Sequence, residues 1–424
     1  MAHLAIRNKR IKPTVPKGSV RPWPVVTKKD TDAVTRALTS GQIWGDGPEV
    51  EALAREWADY CGVKYCDTLS GGTQALHAAI MASGAGPGDE VILPAFSFHS
   101  TASAVLHQNA VPVFVDIDPV TYTIDPAKVE AAINDRTRAI IAVHIWGLPA
   151  DMAPLRRIAG KHKLLLIEDA CQAHGAEYRG SKAGALGDCA AFSLNGSKNL
   201  PGGEGGLLTT DKKWIMDEGA RLQMRVRLRQ RGSRYPAYSL GYNSRMHEMV
   251  AAFVRSQLKR LDALNGWRRR NAEFLSRRLG RIPGLQPPIT PPDRTNVHHM
   301  FPVRIDPGAL GIDMPAREFR LLLEKALQAE GVNVHQWVDK VLPAHAVYQV
   351  REGYGRGCPW KCPFASREVS YPPARFRREY PEAMRMLDET TLVWGFAPPN
   401  DLKLMQLYVD AFEKVFDHLD EVLE

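Results

Sequence analysis

Short, nearly unbroken apolar runs recur between residues 90 and 210, and their spacing constrains the fold more than any other feature of the chain. The runs are Glu90–Pro94 (EVILP), Val111–Ile117 (VPVFVDI), Ala139–His144 (AIIAVH), Lys163–Asp169 (KLLLIED), Ala190–Leu194 (AAFSL) and Gly206–Thr210 (GLLTT). Helical patterns at Thr73–Ser83, Ser97–His107, Pro126–Asn134 and Asp151–His162 precede or separate the earlier runs. A strand that is apolar on both faces has to be covered on both faces. Crossover helices around a mainly parallel sheet do this, so the pattern predicts an α/β domain.

At 424 residues the chain suits two domains. Residues 1–30, rich in Pro, Lys and Arg, read as an extended N-terminal arm, and 31–265 as the large α/β domain. A long helical stretch, Met246–Arg278, leads into a smaller α+β domain over 266–424. That part holds a Pro-rich segment (285–293), a strand at His299–Ile305, a helix at Ala316–Glu330 and a final helix at Asp401–Leu423. No internal repeat is present.

Composition excludes several classes. With 44% hydrophobic and 24% charged residues the chain is globular, neither low-complexity nor collagenous. The net charge of +8 comes without zinc spacing or a recognition-helix pattern, so no nucleic-acid partner is expected. Arg225, Arg227, Arg229, Arg231 and Arg234 crowd the stretch 221–234. This reads either as a solvated loop or as a basic flap that draws in an anionic substrate or an acidic partner. Of six cysteines only Cys358 and Cys362, in CPWKC, are suggestively spaced, and no second ligand pair accompanies them, so no metal is expected. The first residues, MAHLAIRNKRIKPTV, are basic without the apolar run of a signal peptide, and no window has the apolar length of a membrane span. A soluble cytoplasmic protein with no membrane partner is the expectation.

In a parallel sheet, functional groups gather beyond the carboxyl ends of the strands. Four segments fall there. Ser70-Gly71-Gly72-Thr73 is a small turn running into a helix, whose free amides and dipole favour an anion, with Thr73 adding a hydroxyl. Pro94–Ser100 carries Phe98, an aromatic face able to stack on a flat ring or to enter the core. Asp169 closes an apolar strand, where a carboxylate needs a partner: a protonated pyridine nitrogen, a metal or a helix start. Gln172 and His174 follow it and can orient a bound group or serve as plain loop residues. Lys198 lies in a polar turn, and four glycines follow within 202–206. Partly shielded, such a lysine forms an imine with an aldehyde, and nearby Ser193 can hold a phosphate. Each feature alone is common; the four together, in order 72, 98, 169 and 198, are not.

The segments SGGTQAL, PAFSFHSTA, EDACQAHGA, GALGDCAAFSLNGSKNLPGGEGG and GYNSRM resemble the DegT/StrS-type aminotransferases, the sugar and cyclitol branch of the fold type I pyridoxal-phosphate enzymes. The resemblance runs from about residue 20 to the C-terminus and is specific in the first 250 residues. It implies a fold type I transferase with a large mixed, mainly parallel sheet domain and a smaller C-terminal α+β domain. It implies pyridoxal 5'-phosphate as cofactor, joined as an imine to Lys198, with Asp169 on the pyridine nitrogen and Phe98 on the ring. Gly72, Thr73 and Ser193 would hold the phosphate, Gln172 would lie near the ring oxygen or base, and Asn243 would reach the phosphate of a neighbouring subunit. A homodimer with shared active sites follows. L-Glutamine or L-glutamate is the implied amino donor, and a ketone on a sugar, cyclitol or similar polar ring the implied acceptor. Two relatives of other kinds remain in view: sugar dehydratases, which carry His where this chain has Lys198, and a non-catalytic regulator that binds the cofactor. The chain departs from many relatives at Gly71, where they carry Asn, and matches them only loosely over 343–345 and 354–362.

Overall fold

The computed structural model describes residues 3–8, 10–223, 241–364 and 368–424. In chain order the first half runs α1 (Lys28–Thr39), α2 (Pro48–Cys61), β1 (Tyr65–Leu69), α3 (Gly72–Ala82), β2 (Glu90–Pro94), α4 (Ser100–His107), β3 (Val111–Val115), α5 (Pro126–Ala132) and β4 (Thr137–Val143). It continues with α6 (Met152–His162), β5 (Leu165–Asp169), the small hairpin β6 (Glu177–Tyr178) and β7 (Ser181–Lys182), β8 (Cys189–Ser193), β9 (Gly206–Thr210) and α7 (Lys213–Leu222).

Seven of these strands form one sheet in the order β1-β9-β8-β5-β4-β2-β3. The five from β3 to β8 are parallel, and β9 runs against both of its neighbours. All six apolar runs appear as strands. Their two-sided apolarity has the expected cause: on β4, Ala139, Ile141 and Val143 enter one core, while Ile140 and Ala142 enter the core on the other face. The edge strand β1 was not anticipated, because YCDTL carries two polar residues at its centre. Asp67 and Thr68 are buried there nonetheless, and the Asp67 carboxylate takes hydrogen bonds from the Gln223 side chain and the Thr68 amide.

The stretch expected as one long helix is two, α8 (Glu248–Leu258) and α9 (Leu261–Leu279). The chain turns at Lys259–Arg260, where the Arg260 guanidinium reaches back to the Val25 carbonyl at 3.2 Å and pairs with Asp30 at 2.8 Å. Beyond α9 a second sheet of four antiparallel strands has the order β10 (Leu285–Gln286), β11 (Phe301–Ile305), β13 (Thr390–Val393), β12 (Val334–His335). Helix α10 (Ala316–Ala329), α9 and the helix Leu402–Asp417 share its core. The expected C-terminal helix also breaks, at His418, whose Nδ1–H donates to the Lys414 carbonyl at 2.9 Å and ends the helix. Leu4 and Val15, in the stretch read as an arm, are buried in this second core. Their backbone is held by Glu330, which accepts from the Ala5 and Thr14 amides, and by Glu421, which accepts from the His3 and Leu4 amides. Among the described residues no helix is long and apolar enough to cross a membrane. The Arg225–Arg234 run lies outside the described residues; Arg221, just before it, pairs with Glu218 on α7.

One buried carboxylate organises the sheet beside its functional end. Glu168, fully buried on β5, accepts from the amides of Leu186 (2.7 Å), Gly187 (2.8 Å) and Gly184 (2.9 Å) and from His144 Nε2 (3.0 Å). His144 Nδ1 accepts the Ala150 amide, so its proton sits on Nε2 and points at Glu168. An amide at this position has only one accepting oxygen for four donors. Glu168→Gln is therefore expected to lower stability by about 3 kcal/mol, read as a lower denaturant midpoint. A midpoint unchanged from the parent protein would show that the carboxylate is dispensable.

Candidate active site

A cavity of about 580 Å³ opens beyond the carboxyl ends of β2, β5 and β8, the ends at which a parallel sheet offers loops and helix starts. A wider cleft of about 910 Å³ lies at the opposite ends of the strands, around Thr137, Leu165 and Asp188, and contains none of the residues singled out above. The smaller cavity holds Gly72, Thr73, Phe98, Asp169, Gln172, Ser193 and Lys198 together.

Asp169 ends β5 and is 5% exposed. One of its oxygens accepts from the Thr101 hydroxyl at 2.7 Å, and the other accepts a long bond, 3.3 Å, from the Cys171 amide. Because Thr101 spends its proton on Asp169, the Ser97 hydroxyl 2.7 Å away must donate to Thr101. A buried carboxylate that meets no cation of the protein in these bonds retains capacity for a cationic N–H from the cavity.

Lys198 sits in the turn after β8. Its amide donates to the Asn195 carbonyl at 2.8 Å, and its own carbonyl accepts from Trp23 Nε1 at 3.1 Å. The turn closes through a pair of backbone bonds, Gly196 N–H to Gly203 and Gly202 N–H to Leu194, and Gly203 takes a left-handed φ of 86° that favours glycine. The side chain is half-buried, with access through the cavity it lines. Burial pushes the ammonium below a lysine's ordinary value, and its electrostatic interactions with Cys171, Asp169 and Glu204 only partly oppose this. More of the amine is therefore neutral and nucleophilic than on an exposed lysine.

Helix α3 begins at Gly72 with Gly71 as its N-cap and no side-chain cap, so its first amides are available to an anion. Gly72 is small for a reason additional to ligand approach. A Cβ there would stand 2.8 Å from the Ser193 Cβ and 3.0 Å from the Cys171 sulfur. Ser193, at the end of β8, holds its hydroxyl next to this helix start, where its oxygen also accepts the Asn195 amide at 3.3 Å. Phe98 is 42% exposed, with its ring stacked on Trp337 at 5.7 Å and 17° between planes. Gln172 lines the cavity, with its Oε1 already accepting the Trp146 amide at 2.8 Å.

Two further residues named from the sequence, His174 and Asn243, lie outside this cavity, the second having been expected to serve a neighbouring subunit. His174 is fully buried between Trp57 and Phe192, outside the cavity, and burial drives its pKa down to about 3, so it cannot orient a group bound there. Asn243 is exposed on a separate surface recess with Ile43, Trp44 and Arg245, and its side-chain oxygen accepts from Arg245 at 3.0 Å. Sequence reasoning missed Thr101, Ser97, His299, Met300 and Trp337. The first two sat inside the quoted PAFSFHSTA segment and were readable from helical spacing. The other three come from the part beyond α9, and no local pattern ties them to residues 72–198.

The donor set fits pyridoxal phosphate: an uncapped helix start and a serine hydroxyl for a phosphate, an under-satisfied buried carboxylate for a ring N–H, an exposed aromatic face, and a lysine with depressed basicity. Comparisons with known proteins agree. The sequence pattern of the DegT/DnrJ/EryC1/StrS aminotransferase family matches residues 24–375. The chain is 41% identical over 318 residues, 69% of this chain and 72% of the relative, to an L-glutamine:2-deoxy-scyllo-inosose aminotransferase of Streptoalloteichus tenebrarius. It is 39% identical over 369 residues, 85% of this chain and 91% of the relative, to a dTDP-3-amino-3,4,6-trideoxy-alpha-D-glucose transaminase of Streptomyces venezuelae. The crystal structure of S. venezuelae DesV in complex with a ketimine intermediate superposes with a TM-score of 0.78 at 32% identity, covering 92% of this chain and 94% of that one. The chain belongs to the DegT/DnrJ/EryC1/StrS aminotransferase family and is a pyridoxal-phosphate-dependent transaminase of fold type I.

Proposed function

We propose that this enzyme moves an amino group from L-glutamine or L-glutamate to the ketone of a sugar, a cyclitol or a similar polar ring in natural-product biosynthesis. The observation that carries the reading is Lys198: a half-buried amine of depressed basicity sharing one cavity with the Asp169 carboxylate and the uncapped start of α3. The names of the relatives support the donor and the acceptor class.

When bound, pyridoxal phosphate supplies an aldehyde that takes up the amine and a ring that accepts negative charge from the donor carbon. Asp169 would keep the ring nitrogen protonated, and Thr101, backed by Ser97, holds its carboxylate in place. The amides of Gly72 and Thr73 and the Ser193 hydroxyl anchor the phosphate. Phe98, backed by Trp337, covers one ring face. Lys198 would hold the cofactor through its side-chain amine, and the same amine, once free, would be the group that moves protons in both half-reactions.

A homodimer with shared sites completes this reading. Asn243 serves the phosphate of the neighbouring subunit, which is supported by its place in a surface recess separate from its own subunit's cavity and by Trp44 and Tyr242, 57% and 54% exposed, near it on the surface.

Borohydride reduction of the coloured holoprotein is expected to fix the cofactor on the peptide containing Lys198, detected by mass spectrometry; an unmodified Lys198 would end the assignment. Addition of L-glutamine or L-glutamate is expected to bleach the visible band, whereas a regulator would keep its spectrum. Asp169→Asn is expected to slow this half-reaction on the order of a hundredfold or more while the protein still folds and takes up cofactor. Mixed dimers of Lys198→Ala and Asn243→Ala subunits are expected to regain activity that neither variant has alone, because one of their two sites is intact. Sites confined to single subunits would show no recovery.

A further inference from the structure

A chain of buried amides sets which nitrogen of His299 bears the proton. Asn265, on α9, donates its side-chain NH2 to the His174 carbonyl at 2.8 Å, so its oxygen is the atom that faces Asn199. Asn199, one residue after Lys198, donates its NH2 to that oxygen and to the Val297 carbonyl, both at 3.0 Å. Two backbone carbonyls, which can only accept, thus orient both amides. The Asn199 oxygen is left facing His299 Nδ1 at 3.3 Å, so Nδ1 must carry the proton. All three side chains are more than nine-tenths buried.

Nε2 of His299 is then a bare lone pair. It is buried, has no partner among the described residues, and belongs to a residue that lines the active-site cavity. An acceptor buried without a donor is costly, so a donor in the cavity is called for. Among the described lining residues Lys198 is the one cation. Burial, followed by the charges of Lys198 and Arg268, holds the imidazole well below its ordinary pKa, so it stays neutral and does not repel the lysine.

We propose that His299 is the positioning residue of Lys198: its Nε2 accepts a hydrogen bond from the lysine amine whenever that amine is released from the cofactor. The proposal rests on the reading of Lys198 as the proton carrier. No bond is made or broken at His299. It holds the freed amine over the reacting carbons, and through Asn199 and Asn265 this hold is anchored on α9.

The test has two arms. In apoprotein carrying 15N-histidine, the ring nitrogens of His299 are expected to show Nδ1 protonated and Nε2 bare between about pH 6 and 9. A protonated Nε2 would overturn the proposal without any variant having to fold. In single-turnover mixing with donor, His299→Asn keeps the atom that faces Asn199 and removes the unpartnered Nε2. It is expected to slow bleaching by about ten- to a hundredfold, with donor and cofactor affinity nearly unchanged. His299→Gln, which again places an acceptor toward the cavity, is expected to recover most of that loss. Bleaching by His299→Asn at the parental rate would overturn the proposal, as would equal losses in both variants. A borohydride-treated parent protein unlabelled at Lys198 would sink the reading of the lysine itself, and the proposal with it, whatever the tautomer.

Discussion

The start of α3 lies on the ends of β8 and β9 with no room for a side chain between them, and the site's geometry depends on that contact. A Cβ on Gly72 would strike Ser193 and Cys171, and one on Gly206 would overlap the Gly71 carbonyl. Close approach brings the free amides of α3, the Ser193 hydroxyl and the turn that carries Lys198 to one spot. It also explains why a β9 running against its neighbours is useful. The strand returns from the Lys198 turn toward the far edge, so β8 and β9 form a wide hairpin with the lysine at its tip.

Adjacent carboxylates on β5 serve different purposes because consecutive residues of a strand face opposite sides of the sheet. Glu168 is saturated by three amides and His144 and anchors the loop before β8. Asp169, one residue on, faces the cavity with fewer donors and so keeps capacity for a ligand. The same two-sided geometry that makes the sheet strands apolar throughout separates a structural acid from a functional one.

The part of the chain beyond α9 adds the remaining walls. Trp337 stacks behind Phe98, and His299 and Met300 close the cavity just before β11. Aromatic contact and buried amide bonds, with no ion pair among them, join these residues to the sheet of the first half.

The sequence by itself determined the parallel core of the sheet, since runs such as AIIAVH are stable only when covered on both faces. It also determined the order of the segments that meet at the strand ends, since glycine turns, a strand-terminal acid and a lysine in a polar turn each carry a local signature. Strand β1 escaped because buried Asp67 depends on tertiary partners, and one of them, Gln223, is 156 residues away. The break at Arg260 escaped for the same kind of reason, its ion-pair partner Asp30 lying in α1. His174 shows the converse: adjacent to the site in sequence, it turns away into an aromatic core. Tertiary structure alone decided which histidine borders the cavity and which nitrogen carries its proton. Both follow from hydrogen bonds between segments remote in sequence, to which no local pattern is sensitive.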